Sequence, residues 1–254
     1  MGLPRRLHPH EGLELVGHLE ELRTRLVISL VALAAGFGVA YAIHGRLLQA
    51  LSSKLPEGHR QPVTFGVAEP FMTSGKLSLV AGFALALPVI LWQLWSFLAP
   101  ALDRGTQRAV AAFVAFATAL FAVGVGFGYL IALPAALKFL VGFDATHYTI
   151  LIRAQDYISF AVTVMAAVGI VFELPVFVLA LVRIGALTST KLRNNRRVGY
   201  VIVAVVAVAL PGVDPVTTTL EMIPLMGLFE LSIWLSVFFE RRWHGVPSVA
   251  SGTS

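Results

Sequence analysis

Apolar residues fall in six long blocks along this chain, near 26–45, 76–99, 109–133, 157–183, 198–211 and 219–239, parted by polar or charged connections. All but the fifth reach the roughly 20 residues an α-helix needs to cross a ~30 Å hydrocarbon layer. Barrel strands would instead alternate apolar and polar positions over about ten residues. The pattern predicts an all-α polytopic membrane protein with six transmembrane helices in a single domain over 1–254. A polar tail at 245–254 is expected to be disordered.

The fifth block has its own arithmetic. From Val198 to Leu210 a helix is about 20 Å long, well short of the bilayer core, and Pro211-Gly212 ends it. Either Tyr200 and the residues flanking it lengthen this helix, or the membrane thins beside spans five and six. Pro88, Pro134, Pro175 and Pro224 lie within or at the edge of the apolar blocks and predict kinked helices with concave faces.

Ahead of the first block, Leu15, Leu19, Leu22 and Leu26 recur at helical spacing, with Glu14, His18, Glu21 and Arg25 as the neighbouring stripe. An amphipathic helix thus leads straight into the membrane. The connection from Arg46 to Gly75 is the longest, and its Leu47–Leu55 stretch is amphipathic before Pro56 and Pro62. It predicts a cap on the outer surface.

Composition agrees: 57% hydrophobic and 13% charged residues cannot cover a soluble globule. Thirteen of the 19 Lys and Arg fall on one side of the six-span pattern and six on the other, so the positive-inside rule puts both termini in the cytoplasm. Those charges sit between spans and read as topology, not as a nucleic-acid surface. The first 25 residues carry too much Glu and His for a signal-peptide n-region, which predicts that the first span is retained.

Zero cysteines exclude disulfides and thiol catalysis. No His-Glu-x-x-His pair, Gly-x-Ser-x-Gly elbow or phosphate-binding glycine loop is present, so no enzyme, cofactor or metal is expected. His8, His10 and His18 are too irregularly spaced to point to a metal site.

The polar residues inside the apolar blocks are the candidates for function. Glu173, within Phe172-Glu173-Leu174-Pro175, is expensive at membrane depth, at about 3 kcal/mol on insertion scales. It predicts a contact for a ligand or partner helix, a proton site, or a structural hydrogen bond to a residue such as Gln93. Glu230 is open between function and structure, while Asp214 before Pro215 reads as a turn acid that caps the sixth helix. At the membrane edge, Glu21 and Arg25 have the favourable i,i+4 order for an ion pair. Glu20 has only Thr24 at that spacing, so the two adjacent carboxylates are differently placed to receive cations.

Six motifs in order then resemble the TatC family, the polytopic subunit of the twin-arginine protein translocase. They are His18-Leu-Glu-Glu-Leu-Arg-Thr-Arg-Leu26, Glu69-Pro70-Phe71, Pro88-Val-Ile-Leu-Trp-Gln-Leu-Trp-Ser-Phe-Leu-Ala-Pro100, Phe172 to Pro175, Asp214, and Ile223-Pro224 to Phe229-Glu230. The resemblance implies a receptor for Arg-Arg signal peptides of folded proteins. It also implies assembly with TatA- and TatB-type single-span subunits, self-association, lipid contact, and export driven by the proton-motive force. The location implied is a prokaryotic cell membrane or an equivalent organelle membrane. Glu21, with Glu20 and Arg23 beside it, is the implied signal-binding site, and Glu173 the intramembrane acid of a concave face. Short fifth and sixth helices are implied as well.

One position departs from the family pattern. Where many members carry a second glutamate in the first cytoplasmic loop, this chain has Thr106, and Asp103 stands one turn earlier. The expectation is that Asp103 supplies that carboxylate; otherwise recognition leans on Glu20 and Glu21. The alternative function from the residues alone is a proton-coupled small-solute transporter using Glu173.

Overall fold

The computed structural model describes residues 9–98, 106–144, 147, 150–183, 185–211 and 214–243. Among them the chain is all-α. The helices are α1 (Pro9–Ala42), α2 (His44–Ser52), α3 (Glu69–Leu98), α4 (Thr106–Phe127), α5 (Leu133–Gly142), α6 (Ala154–Phe172), α7 (Leu174–Arg183), α8 (Ser189–Asn194), α9 (Arg196–Ala209) and α10 (Pro215–Trp243). The amphipathic lead and the first apolar block form one uninterrupted helix, α1, because no Pro or Gly cap separates them. Five stretches have the length and apolarity to cross a membrane: Glu20–Ala42, Glu69–Phe97, Val110–Gly142, Ala154–Arg183 and Pro215–Glu240.

Two expected lengths change. The third apolar stretch runs on past 133 to Gly142, and α10 has 29 residues, so the sixth helix is not short. At ~1.5 Å per residue it is roughly 43 Å long; Pro224 inside it does not end it, since neighbouring helices in the bundle tolerate the lost bond. The fifth helix is short as expected: α9 has 14 residues, or roughly 21 Å. Leu210, in extended backbone, stops it one residue before Pro211.

The other prolines act through their clash with the carbonyl four residues back. Ahead of Pro134 the helix widens into a π segment, Gly128–Ala132, before α5 resumes. Ahead of Pro175, α6 ends at Phe172; the Glu173 amide turns back to Ile170 O at 3.0 Å, and α7 restarts from Leu174. Pro88 lies inside α3 without ending it.

The chain folds as two compact units, one of residues 1–44 and 74–118, the other of 45–73 and 119–254. In the first, α1 and α3 cross with backbones in contact: a Cβ on Gly36 would lie 2.4 Å from Gly82 O. Small residues allow such crossings where lipid removes the hydrophobic drive between helices and packing must hold them. In the second, Val164, Val168, Phe172, Val203, Ala207, Leu225, Phe229 and Ile233 form the core. Outward-facing Val201, Val208, Ile223 and Trp234 are each more than 60% exposed, an apolar exterior suited to lipid.

The 45–73 segment is built into the second unit. The Tyr129 and Tyr157 hydroxyls donate to the α2 carbonyls of Ala50 and Leu51 at 3.0 and 2.6 Å, where a helix end leaves acceptors free. The Lys54 ammonium sits 4.3 Å from the Tyr129 ring centre. Val63 exchanges backbone hydrogen bonds with Ile152 and Ala154 at 2.9 and 2.8 Å, an isolated bridge just before α6.

Candidate functional site

The membrane-edge end of α1 presents its two carboxylates differently. Glu21 pairs with Arg25, the i,i+4 contact that the spacing predicts. Arg25 also donates from Nη1 to Gln93 O at 3.0 Å and lies 6.0 Å from the Phe97 ring centre, so α3 fixes the guanidinium that holds Glu21. Glu20 is exposed and takes no ion pair among the described residues. With Arg23, Thr24, Val27 and Ile28 it lines a cleft of about 370 Å³. That is one helix face, i to i+8, with a carboxylate at one end and exposed apolar side chains at the other. Such a face combines a carboxylate and a guanidinium with an apolar stripe. Thr106 starts α4, and Asp103 lies outside the described residues, as do the side chains of Leu15, His18 and Leu19, while Leu22 and Leu26 are exposed.

Glu173 stands in the break between α6 and α7. Both its carboxylate oxygens are shielded and neither has a hydrogen-bond partner. The structural alternative, a bond from Gln93 or another residue of the chain, is therefore not found among the described residues. A carboxylate kept out of water this way is costly unless it is neutralised or another polar group meets it. Gln93 belongs to the first compact unit and Glu173 to the second.

For Glu230 the structure supplies the structural reading. It accepts from the Tyr200 hydroxyl and pairs with Arg196 Nη2 at 3.3 Å, tying α9 to α10. Gly199 makes this possible, because a Cβ there would lie 2.0 Å from Phe229 Cζ. Asp214 caps α10 as expected: its Oδ1 accepts from Thr217 N at 2.7 Å and its carbonyl from Thr218 N at 3.1 Å.

Two features were not singled out as sites from the sequence. Glu221 is buried with Asp214 and Thr217 on the i, i+3, i+7 face of α10, and each of the three keeps one side-chain oxygen without a partner. Glu69, buried at the start of α3, accepts from Arg153 Nε and Nη2 at 3.1 and 3.2 Å and from the amides of Phe65, Gly66 and Gln155 at 3.1–3.3 Å. The bond to Glu69 raises the Arg153 pKa above its already high value, so the guanidinium stays charged. A cation offsets the cost of burying a glutamate at the head of a span, and Arg153 stands directly before span four.

Comparison with known proteins completes the picture. The family model "TatC: Sec-independent protein translocase protein (TatC)" matches residues 17–224. The Sec-independent protein translocase protein TatC of Deinococcus radiodurans is 38% identical over 233 residues, covering 89% of this chain and 86% of the relative. The TatC of Aquifex aeolicus is 35% identical over 232 residues, covering 90% and 96%. A crystal structure of the twin-arginine translocase receptor TatC in the detergent DDM superposes with a TM-score of 0.75 at 36% identity, over 86% of this chain and 99% of that one.

Proposed function

The chain belongs to the TatC family of Sec-independent protein translocases, and on that footing we propose that it is the translocase subunit that receives Arg-Arg signal peptides. It is a multi-pass membrane protein of a Tat translocase, not an enzyme. The observation that carries the receptor reading is the asymmetry of Glu20 and Glu21. Glu20 is open beside Val27 and Ile28, while Glu21 is held by Arg25.

An arriving arginine pairs first with Glu20; a second exchanges with Arg25 for Glu21, and the apolar part of the signal runs along Val27 and Ile28 toward the membrane. Exposed ion pairs contribute only ~0–1 kcal/mol each, so the apolar contact supplies the rest of the affinity. Asp103 joins as the loop carboxylate, near Thr106. Arg23, on the same face, repels a signal that enters out of register.

In this reading both termini are cytoplasmic, α9 makes the fifth of six crossings, and the protein sits in a prokaryotic cell membrane or its organelle equivalent. TatA- and TatB-type single-span subunits are its partners, Glu173 meets a polar group of one of them, and the proton-motive force drives export. Family membership replaces the solute-transporter alternative. The test is photocrosslinking from position 20, 24 or 27 to an Arg-Arg signal peptide in membranes. Adducts that vanish with a Lys-Lys peptide support the reading, and adducts equal for both peptides overturn it.

A further inference from the structure

Where α5 ends, a cleft of about 610 Å³ opens between its last turns and the start of α10, lined by Ala135, Lys138, Phe139, Phe143, Asp144 and Val216. Neither the signal-peptide reading nor the partner reading uses it. Its neighbours Ala136 and Leu137 are buried, so Lys138 looks outward, and it takes no ion pair or hydrogen bond among the described residues. A lysine one turn inside the end of a transmembrane helix runs its stem along apolar surface and lifts its ammonium to the headgroup level.

The opposite charge lies two residues beyond α5. Asp144 adopts φ 53°, which folds the chain back and brings its side chain to the same cleft; its Oδ1 is 2.7 Å from His147 Nδ1. Around the two charges the surface is apolar and uncovered: Phe143 is 67% exposed, with Val216 and Leu140 also exposed, and Phe139 lies 5.9 Å from Phe143 ring to ring.

We propose that this cleft binds one phospholipid with a primary-ammonium headgroup, its phosphate on Lys138, its ammonium on Asp144 and its acyl chains on Phe139, Phe143 and Val216. Charge complementarity selects this occupant among lipids. Polyanionic lipids are held by clusters of four or more basic residues, and here there is one. An anionic glycerol headgroup brings no cation to Asp144, whose carboxylate stays partly exposed beside His147. A choline headgroup has the charge but no N–H with which to bond the carboxylate.

The test uses the full chain purified in detergent, offered equal amounts of phosphatidylethanolamine, phosphatidylcholine and phosphatidylglycerol, with retained lipid read by native mass spectrometry. Both lipids bring a phosphate to Lys138 and differ by the one exposed ion pair at Asp144, so phosphatidylethanolamine is expected to be retained about two- to fivefold over phosphatidylglycerol. Lys138→Gln lowers that retention by a similar factor, and Lys138→Arg restores it. Asp144→Asn, which suits the positive φ and so keeps the turn, abolishes the preference over phosphatidylcholine. Equal retention of all three lipids overturns the proposal, as do variants with the parent's lipid pattern, or a cleft closed by a second copy with no lipid retained.

Discussion

Arg153 clamps the carboxylate of Glu69 across 84 positions of sequence, Nε to Oε1 at 3.1 Å and Nη2 to Oε2 at 3.2 Å, and so ties the head of α3 to the entrance of α6. With three backbone amides on the same carboxylate, Glu69 joins the Phe65–Gly66 backbone to Arg153 and Gln155. Removing one partner of a buried, hydrogen-bonded pair leaves the other groups unsatisfied. Glu69→Ala is expected to lower the melting temperature in detergent more than Glu57→Ala does, since the Glu57–Arg60 pair is exposed and 3.6 Å apart. Differential scanning fluorimetry of the two variants gives the comparison; equal shifts would contradict it.

Glycines at the helix crossings should differ by what a methyl group meets. A Cβ on Gly36 collides with backbone of Gly82, which cannot move without separating the helices, whereas Gly38 on the same helix has open space. Gly36→Ala is expected to cost about 1–3 kcal/mol, the range for overpacking, and Gly38→Ala close to nothing. Denaturant titration of both variants in the same detergent checks this.

Tyr200 and Glu230 form one unit with Arg196. Tyr200→Phe and Glu230→Gln should each destabilise the α9–α10 hairpin, and the double variant should lose less than the two single losses added together, because one contact is removed once. Additive losses would show that the groups act independently.

Much of this was legible in the chain, and the rest fails for a consistent reason. The Asp214 cap and the Glu21–Arg25 pair follow from spacing within one helix, and they are present as read. Pro134 and Pro175 mark the places where the backbone changes, since their effect is local. Glu69–Arg153 and Tyr200–Glu230 join positions 84 and 30 apart. No periodicity predicts which distant polar groups meet. The apolar block understates α10, because Asp214 starts the helix ahead of it and charged Glu240 does not stop it. Spacing already sets Glu21, with Arg25 four residues on, apart from Glu20; that Arg25 also reaches Gln93 O, 68 positions away, is what the chain does not announce.

Glu173 offers a separation of stability from function. Its oxygens have no partner among the described residues, so Glu173→Gln removes no bond seen there and should leave the melting temperature equal or higher. Export of a folded Arg-Arg substrate should fall, because the contact with the partner subunit is lost. A variant that exports normally, or that unfolds, contradicts the partner reading.

The most direct test of the receptor reading is the affinity of the purified protein for a fluorescent Arg-Arg signal peptide against its Lys-Lys form, measured in parallel for Glu20→Gln and Glu21→Gln. Arg and Lys both bring a charge, but only Arg meets a carboxylate with two parallel N–H bonds, and exposed pairs contribute up to ~1 kcal/mol each, so an Arg-Arg preference of roughly threefold or more is expected in the parent. Glu20→Gln should lose most of it. Glu21→Gln should lose less, since Arg25 already occupies that carboxylate. A parent protein that binds both peptides equally, or keeps its preference in both variants, would contradict the account.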